Sequence, residues 1–368
     1  MIERKRLRDL GFKVGVYEPG PWNAITDVAD VRVGHVTLHH DTPDGRAVRT
    51  GVTAILPHGG HLFREKVSGA CQVINGFGKT AGLVQVQELG TIESPIMLTN
   101  TLAVGAVLHG TIEHMLDITP EIGLTTGTVN VVVGECNDGY LNDIRGLHVT
   151  PAHAREAIRL AATGPVTEGA VGAGTGMSCL GYKGGVGTSS RQATMAGQTY
   201  TVGALVVSNF GDERDLAQAL RGWGGPSLAE QKDAACRGGV EQMPDGSIMI
   251  VLATDAPLDA HQLARLARRA VFGLGRAGGY AAHGSGDIVI AFSTARKILH
   301  QPAALHVSGD VLHEGGEWTN ALFAMTAEAV HEAILNSLCR AETMSGRDGH
   351  VRHAFPYDQL NVWLKETR

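Results

Sequence analysis

No C-x-x-C pair occurs in this chain, no uninterrupted run approaches the ~18 apolar residues of a membrane span, and neither sign of charge forms a long block. Each absence removes a class of protein. The five cysteines, Cys71, Cys136, Cys179, Cys236 and Cys339, are odd in number and far apart. That spacing excludes a zinc ribbon and argues against a disulfide framework, so a reducing cytoplasm is the expected location. The basic start, Met1 to Asp9, has no apolar stretch behind it, and no signal peptide is expected. Charged residues are 18% of the chain, below the usual ~25%, and the net charge is −6. Without a basic face there is little to hold phosphates, which speaks against nucleic acid, and without a span no membrane partner is expected.

What is abundant is glycine, 49 of 368 residues, against a typical ~7%. No Gly-X-Y period accompanies it, so the glycines must serve tight turns and close backbone approaches. With 43% apolar residues the chain can bury a sizeable core. Apolar, β-branched runs at Val52–Leu56, Thr128–Val133, Thr201–Val207, Ser247–Ala253 and Asp287–Ser293 predict strands. Several are apolar on both faces, as in sheets covered by helices or by one another. Helices are predicted at Ala152–Ala162, Glu213–Arg221, Ala260–Leu274 and Thr326–Cys339. Asp259 and Gln262 form a capping pair ahead of the third, with Arg265, Arg268 and Arg269 on its wet side. No internal repeat is present. The stretch most like a linker is Gly222–Asp245, which ends in the turn Met243-Pro244-Asp245-Gly246.

The usual catalytic signatures are missing. Gly172-Ala-Gly-Thr-Gly-Met177 fails G-x-G-x-x-G at Met177, and Gly176 to Lys183 fails the Walker A pattern because Tyr182 intervenes. His331-Glu332 begins like H-E-x-x-H, but Leu335 holds the second His position, and no metal is expected. No G-x-S-x-G elbow exists, and no histidine stands out as catalytic.

Gly246-Ser247 does stand out, behind a turn and at the mouth of a buried apolar strand. A hydroxyl directly after Gly can attack its own preceding carbonyl, since Gly246 has no side chain in the way. An N→O acyl shift followed by hydrolysis would free the amine of Ser247. With a pKa of roughly 7.7–8.0, that amine can act as a base beside its own hydroxyl. Ser285 and Asp287, at i and i+2 of an extended segment, share one sheet face, with Ile288 and Ile290 on the other. A hydroxyl backed by a carboxylate can relay a proton from a nearby nucleophile.

Ordered motifs over more than 300 residues resemble the L-aminopeptidase/D-alanine esterase-amidase (DmpA-type) family, which includes the β-aminopeptidases and is related in fold to ornithine acetyltransferases. They run from Asn23-Ala-Ile-Thr-Asp-Val28 and Val33-Gly-His-Val-Thr37 through Pro95–Thr101, Gly134–Gly139 and Leu141–Ile144. They continue at Gly174–Met177, Lys183–Arg191, Ser208–Gly211, Asp245–Ser247, Ser285–Asp287 and Ala341–Gly349.

The resemblance implies an α/β fold, a four-layer α-β-β-α sandwich, in a single domain that cuts itself before the nucleophile. Here the cut falls between Gly246 and Ser247, leaving chains 1–246 and 247–368 together. It implies Ser247 as nucleophile of self-cleavage and turnover, and Ser285 and Asp287 as its hydrogen-bonded helpers. Asn209 corresponds to the oxyanion-hole amide, and Glu135 to the carboxylate that holds the substrate's ammonium. Asn137 stands where some members carry an aromatic that shapes the site, and Lys79 where relatives often carry an acid. The expected activity is aminopeptidase or amidase, on small peptides, amides or esters with a free amino group, through a Ser247 acyl-enzyme. No cofactor is implied, and a homo-oligomer, a tetramer, is. The rival readings are an acyltransferase, in which an amine resolves the ester, and an unprocessed ligand-binding homologue.

Overall fold

Residues 4–221, 246–306 and 309–357 are described by the structure, a computed structural model. Cys236, the Gly222–Asp245 connection and the first three residues of its closing turn lie outside them. The strands are β1 (Arg32–Asp41), β2 (Ala47–Leu56), β3 (Glu65–Gly76), β4 (Thr91–Ile92), β5 (Ile96–Asn100) and β6 (Val132–Cys136). They continue with β7 (Ser178–Cys179), β8 (Tyr182–Lys183), β9 (Gly185–Met195), β10 (Gln198–Asn209), β11 (Ser247–Thr254) and β12 (Gly286–Leu299). The helices are α1 (Leu83–Leu89), α2 (Val104–Ile118), α3 (Pro151–Arg159), α4 (Glu213–Arg221), α5 (Ala260–Ala267), α6 (Ala270–Arg276) and α7 (Gly316–Arg340).

Two sheets carry the fold, in the orders β1-β2-β5-β6 and β4-β3-β12-β11-β10-β9. Runs apolar on both faces become their inner strands. Along β11, Ile248, Ile250 and Leu252 pack towards the helices, while Met249, Val251 and Ala253 pack between the sheets. Every residue of β11 is buried, and each large apolar side chain so placed contributes about 1.5–3 kcal/mol relative to exposure. The middle layer joins Leu205, Val207, Ile288 and Ile290 to Val33, Ile55, Ile96 and Leu98 of the other sheet. Helices α5, α6 and α7 cover the outer face of the six-stranded sheet, and α2 and α3 cover the four-stranded one. The result is the α-β-β-α sandwich.

Three elements differ from the sequence reading, each for a physical reason. The strand expected over 128–133 begins only at Val132, because Asn130 bonds elsewhere: its N–H donates to Glu93 (2.7 Å) and its amide to the Gly82 carbonyl (2.9 Å). The helix expected over 260–274 breaks after Ala267, although the Asp259–Gln262 cap forms as expected. Its second half leans on α7 so closely that a Cβ on Gly273 would stand 2.6 Å from the Ala327 carbonyl. The last helix is longer than expected and is buried almost all round from Ala321 to Cys339.

The N-terminal segment helps to cover it. Leu7 donates its N–H to Asn336 (3.1 Å), and Arg8 reaches Glu332 (3.0 Å). The fully buried Arg191 donates to both Glu328 (3.2 Å) and Glu332 (2.6 Å). Glu332, the acid of the His331-Glu332 pair, is therefore taken up by arginines that pin α7 to β9. No helix among the described residues is long and apolar enough to cross a membrane.

Candidate active site

Three strand ends meet at one edge of the six-stranded sheet. Ser247, the first residue of β11, pairs with Asn209 at the end of antiparallel β10 and with Gly286 at the start of parallel β12. By the alternation of β11, its side chain shares the face of Met249, between the sheets. The hydroxyl is turned back on the chain: Ser247 Oγ donates to the Gly246 carbonyl oxygen at 2.6 Å. The same oxygen accepts the Gly286 N–H at 3.2 Å, and that N–H also lies 3.4 Å from Ser247 Oγ. A nucleophile, the carbonyl before it and a donor on that carbonyl are thus held together.

Gly286 has to be glycine for this to happen. A Cβ there would stand 2.8 Å from Gly78 Cα and 3.1 Å from the Phe77 carbonyl, both of them backbone. That contact carries the 77–79 loop past the strand end and brings the Lys79 N–H to Glu135 Oε1 at 2.9 Å. The other Glu135 oxygen accepts the Thr101 hydroxyl. Glu135 is 3% exposed, and among the described residues no cation lies within ion-pair distance of it. A buried carboxylate without a counter-charge is costly, and it suits a site for an incoming ammonium. The Lys79 ammonium itself turns away over the Phe77 ring, 4.8 Å from its centre.

Asn209 is fixed at both ends of its amide. The Ser178 N–H donates to Oδ1 (2.8 Å), and Nδ2 donates to the Asn137 carbonyl oxygen (3.0 Å). Because an N–H can bond only to the oxygen end, Ser178 settles which way the amide faces. The second Nδ2 hydrogen has no partner among the described residues. The Asn137 side chain is exposed and accepts the Gly139 N–H at 2.9 Å, so this residue meets the site through its carbonyl.

Asp287 lies in register with Ile248, on the opposite face of the sheet from the Ser247 side chain, and Ser285 stands beside it. Ser285 Oγ donates to Asp287 Oδ1 at 2.6 Å, and neither hydroxyl nor carboxylate bonds to Ser247 Oγ in the continuous chain. Together with Gly246 and Phe210 they line a cleft of about 110 Å³. The two side chains share this cleft with Gly246, the residue before Ser247. Burial raises the Asp287 carboxyl, while the Ser285 hydroxyl and the Ile248 N–H act in the opposite direction. The loop before them is held by Asn75, whose amide donates to the carbonyls of Ala282 (2.9 Å), His283 (3.0 Å) and Ser285 (2.6 Å). Asn75 was not singled out from sequence. It sits in the Asn75-Gly-Phe-Gly-Lys79 segment, but only the register of β3 against β12 gives it this role.

A two-sheet sandwich that presents a Gly–Ser peptide at the end of its central strand defines a hydrolase of the N-terminal-nucleophile type. The model of peptidase family S58 matches residues 23–352. The β-peptidyl aminopeptidase BapA of Sphingosinicella microcystinivorans is 40% identical over all of this chain and 93% of its own length. The PH0078 protein of Pyrococcus horikoshii OT3 superposes with a TM-score of 0.90 at 49% identity, over 99% of each chain. The L-aminopeptidase D-Ala-esterase/amidase of Ochrobactrum anthropi, described as a prototype for the serine aminopeptidases and a variant of the Ntn hydrolase fold, gives 0.88 at 38% identity over 98% of each. The chain belongs to peptidase family S58, and it is a hydrolase with aminopeptidase/amidase function.

Proposed function

We propose that the chain cuts itself between Gly246 and Ser247, and that Ser247 then serves as the nucleophile of a self-processed aminopeptidase. The observation that carries this is the 2.6 Å contact of Ser247 Oγ with the Gly246 carbonyl, whose oxygen also receives the Gly286 N–H. In the first step Oγ bonds to the Gly246 carbon and the C–N bond breaks, with the hydroxyl proton passing to the departing nitrogen. Gly286 N–H meets the charge that develops on the oxygen. Water then hydrolyses the ester, leaving a carboxylate on Gly246 and a free amine on Ser247.

In turnover that amine takes the proton of its own hydroxyl, supported by Asp287 through Ser285. Asn209 Nδ2 stabilises the oxyanion of the substrate carbonyl, and Glu135 holds the substrate's ammonium. The leaving amine takes a proton, and water resolves the Ser247 ester. Substrates are small peptides, amides or esters with a free amino group, β-aminoacyl compounds among them, as the name of the Sphingosinicella relative suggests. We take the enzyme to be a cytoplasmic homotetramer. Four free thiols among the described residues and exposed apolar side chains such as Leu116, Ile118 and Leu124 support that reading.

Two measurements test the chemistry. Alanine and β-alanine p-nitroanilides are expected to be cleaved and their N-acetylated forms spared; equal turnover of the acetylated forms would overturn the aminopeptidase mechanism. The second concerns pH. The ionised fraction of Asp287 falls as pH drops through a pKa raised by burial. The kcat/KM is therefore expected to fall on the acid side in two steps, first as the Ser247 amine is protonated and then, further down but still above the ~3.9 of an ordinary aspartate, through Asp287. Asp287→Asn is expected to be about 10²-fold slower and to keep the upper step while lacking the lower limb. The same limb in the variant would remove Asp287 from the mechanism.

A further inference from the structure

Lys183 is wholly buried, and no carboxylate lies within ion-pair distance of it among the described residues. Its ammonium donates instead to three carbonyls, Gly174 (3.2 Å), Met177 (2.9 Å) and Gly184 (2.8 Å). Three donors meet three acceptors, which matches a protonated amine and not a neutral one. A charge this deep in the protein is costly to keep, and the fold does not need it to close a helix or to pair two strands of the main sheets.

One of the three acceptors leads to the active site. The Met177–Ser178 peptide unit receives Lys183 at its carbonyl and donates its N–H to Asn209 Oδ1 at 2.8 Å. The line is unbroken: ammonium, peptide carbonyl, peptide N–H, side-chain carbonyl of Asn209, and then the Nδ2 hydrogen that has no partner among the described residues. Each link pulls electron density from the next, and hydrogen bonds in such a chain strengthen one another. The β7–β8 hairpin holds the line rigid. Ser178 pairs with Lys183 across it, and its turn places Leu180 (φ 51°) and Gly181 (φ 82°) in the left-handed region. For leucine that conformation is strained. It persists because Leu180 is buried in the core and donates its N–H to the Phe210 carbonyl at 2.6 Å, one residue beyond Asn209.

We propose that Lys183 is a positioning residue that aims and polarises the Asn209 amide through the Met177–Ser178 peptide, making its free N–H a stronger oxyanion donor. The inference rests on the assignment of Asn209 as that donor. Burial brings the Lys183 ammonium down to about 7, with Asp138 and Cys179 acting to raise it. Besides these two, His39 is within electrostatic reach.

The test is a double-mutant cycle on protein that has split, using β-alanine p-nitroanilide. Asn209 does not touch the Gly246 carbonyl, so Asn209→Ala is expected to split. Its kcat should fall by about 10²–10³, the usual loss for one oxyanion donor. Lys183→Met is expected to lower kcat by about tenfold, a fraction of that loss, with KM little changed. The double variant should be no slower than Asn209→Ala, because Lys183 acts only through that amide. Multiplied losses in the double variant, or wild-type kcat in Lys183→Met, would overturn the role of Lys183. A wild-type kcat in Asn209→Ala would overturn the assignment of Asn209 itself.

Should Lys183→Met fail to fold or split, the pH profile decides without it. Loss of the Lys183 charge lowers kcat as pH rises through its pKa, and Asn209→Ala should lack this descending limb. The same limb in both proteins would sink the proposal.

Discussion

Ser247→Ala is expected to remain one chain of 38.7 kDa and to be inactive, while the wild type resolves under denaturing conditions into two. By their share of the residues the pieces weigh roughly 26 and 13 kDa, the smaller beginning at Ser247. The expectation follows from geometry. Among the described residues Ser247 supplies the one hydroxyl that reaches the Gly246 carbonyl, at 2.6 Å, and alanine removes it while leaving the strand's packing untouched. The fold should survive, since β11 is held by its own apolar side chains on both faces. A variant with unchanged unfolding, one mass and no turnover would tie both reactions to one oxygen. A wild type that is folded yet stays whole on long incubation would remove the activation step. Two masses from Ser247→Ala would mean that another group makes the cut.

Glu135→Gln should separate the two reactions. Self-cleavage involves no free amine, so the variant is expected to split like the wild type. Its kcat/KM for aminoacyl amides should fall by about 10²–10³. That range corresponds to losing one partner of a buried charge pair, for which 2–5 kcal/mol is usual. Glutamine keeps the shape and can still accept the Lys79 N–H, so the loss reads charge and not packing. Discrimination against N-acetylated amides should shrink in parallel, because the variant no longer rewards a positive charge. Unchanged kcat/KM in a split Glu135→Gln protein would move the ammonium site elsewhere.

Much of this arrangement was legible in the chain before any coordinates. The unbroken apolar run from Ile248 to Ala253 marks a strand buried on both faces, and a strand of that kind requires layers on each side of its sheet. Gly246-Ser247 and Ser285-Gly-Asp287 were readable as separate motifs, and the family resemblance connected them and added Asn209. Helix limits were read less well where neighbours decided them. Beyond the break after Ala267 the chain packs closely on α7 at Gly273, and α7 is covered by the N-terminal segment and the buried Arg191 network. No local pattern in 260–276 or 316–340 encodes either.

The sequence by itself determined the runs that became β2, β10, β11 and β12, because periodicity is a local property of the chain, while the sandwich and Ser247 as the proposed nucleophile came through the family resemblance. Tertiary structure alone decided which groups face which. It set Gly286 N–H on the Gly246 carbonyl, left Glu135 buried with no cation beside it among the described residues, placed the Ser285–Asp287 pair on the cleft that Gly246 also lines, and joined Lys183 to Asn209 through one peptide unit. These relations span up to 56 positions along the chain, as between Lys79 and Glu135, and depend on the register of strands. Register is set by packing between layers, where a shift of one residue would exchange the two faces of the site.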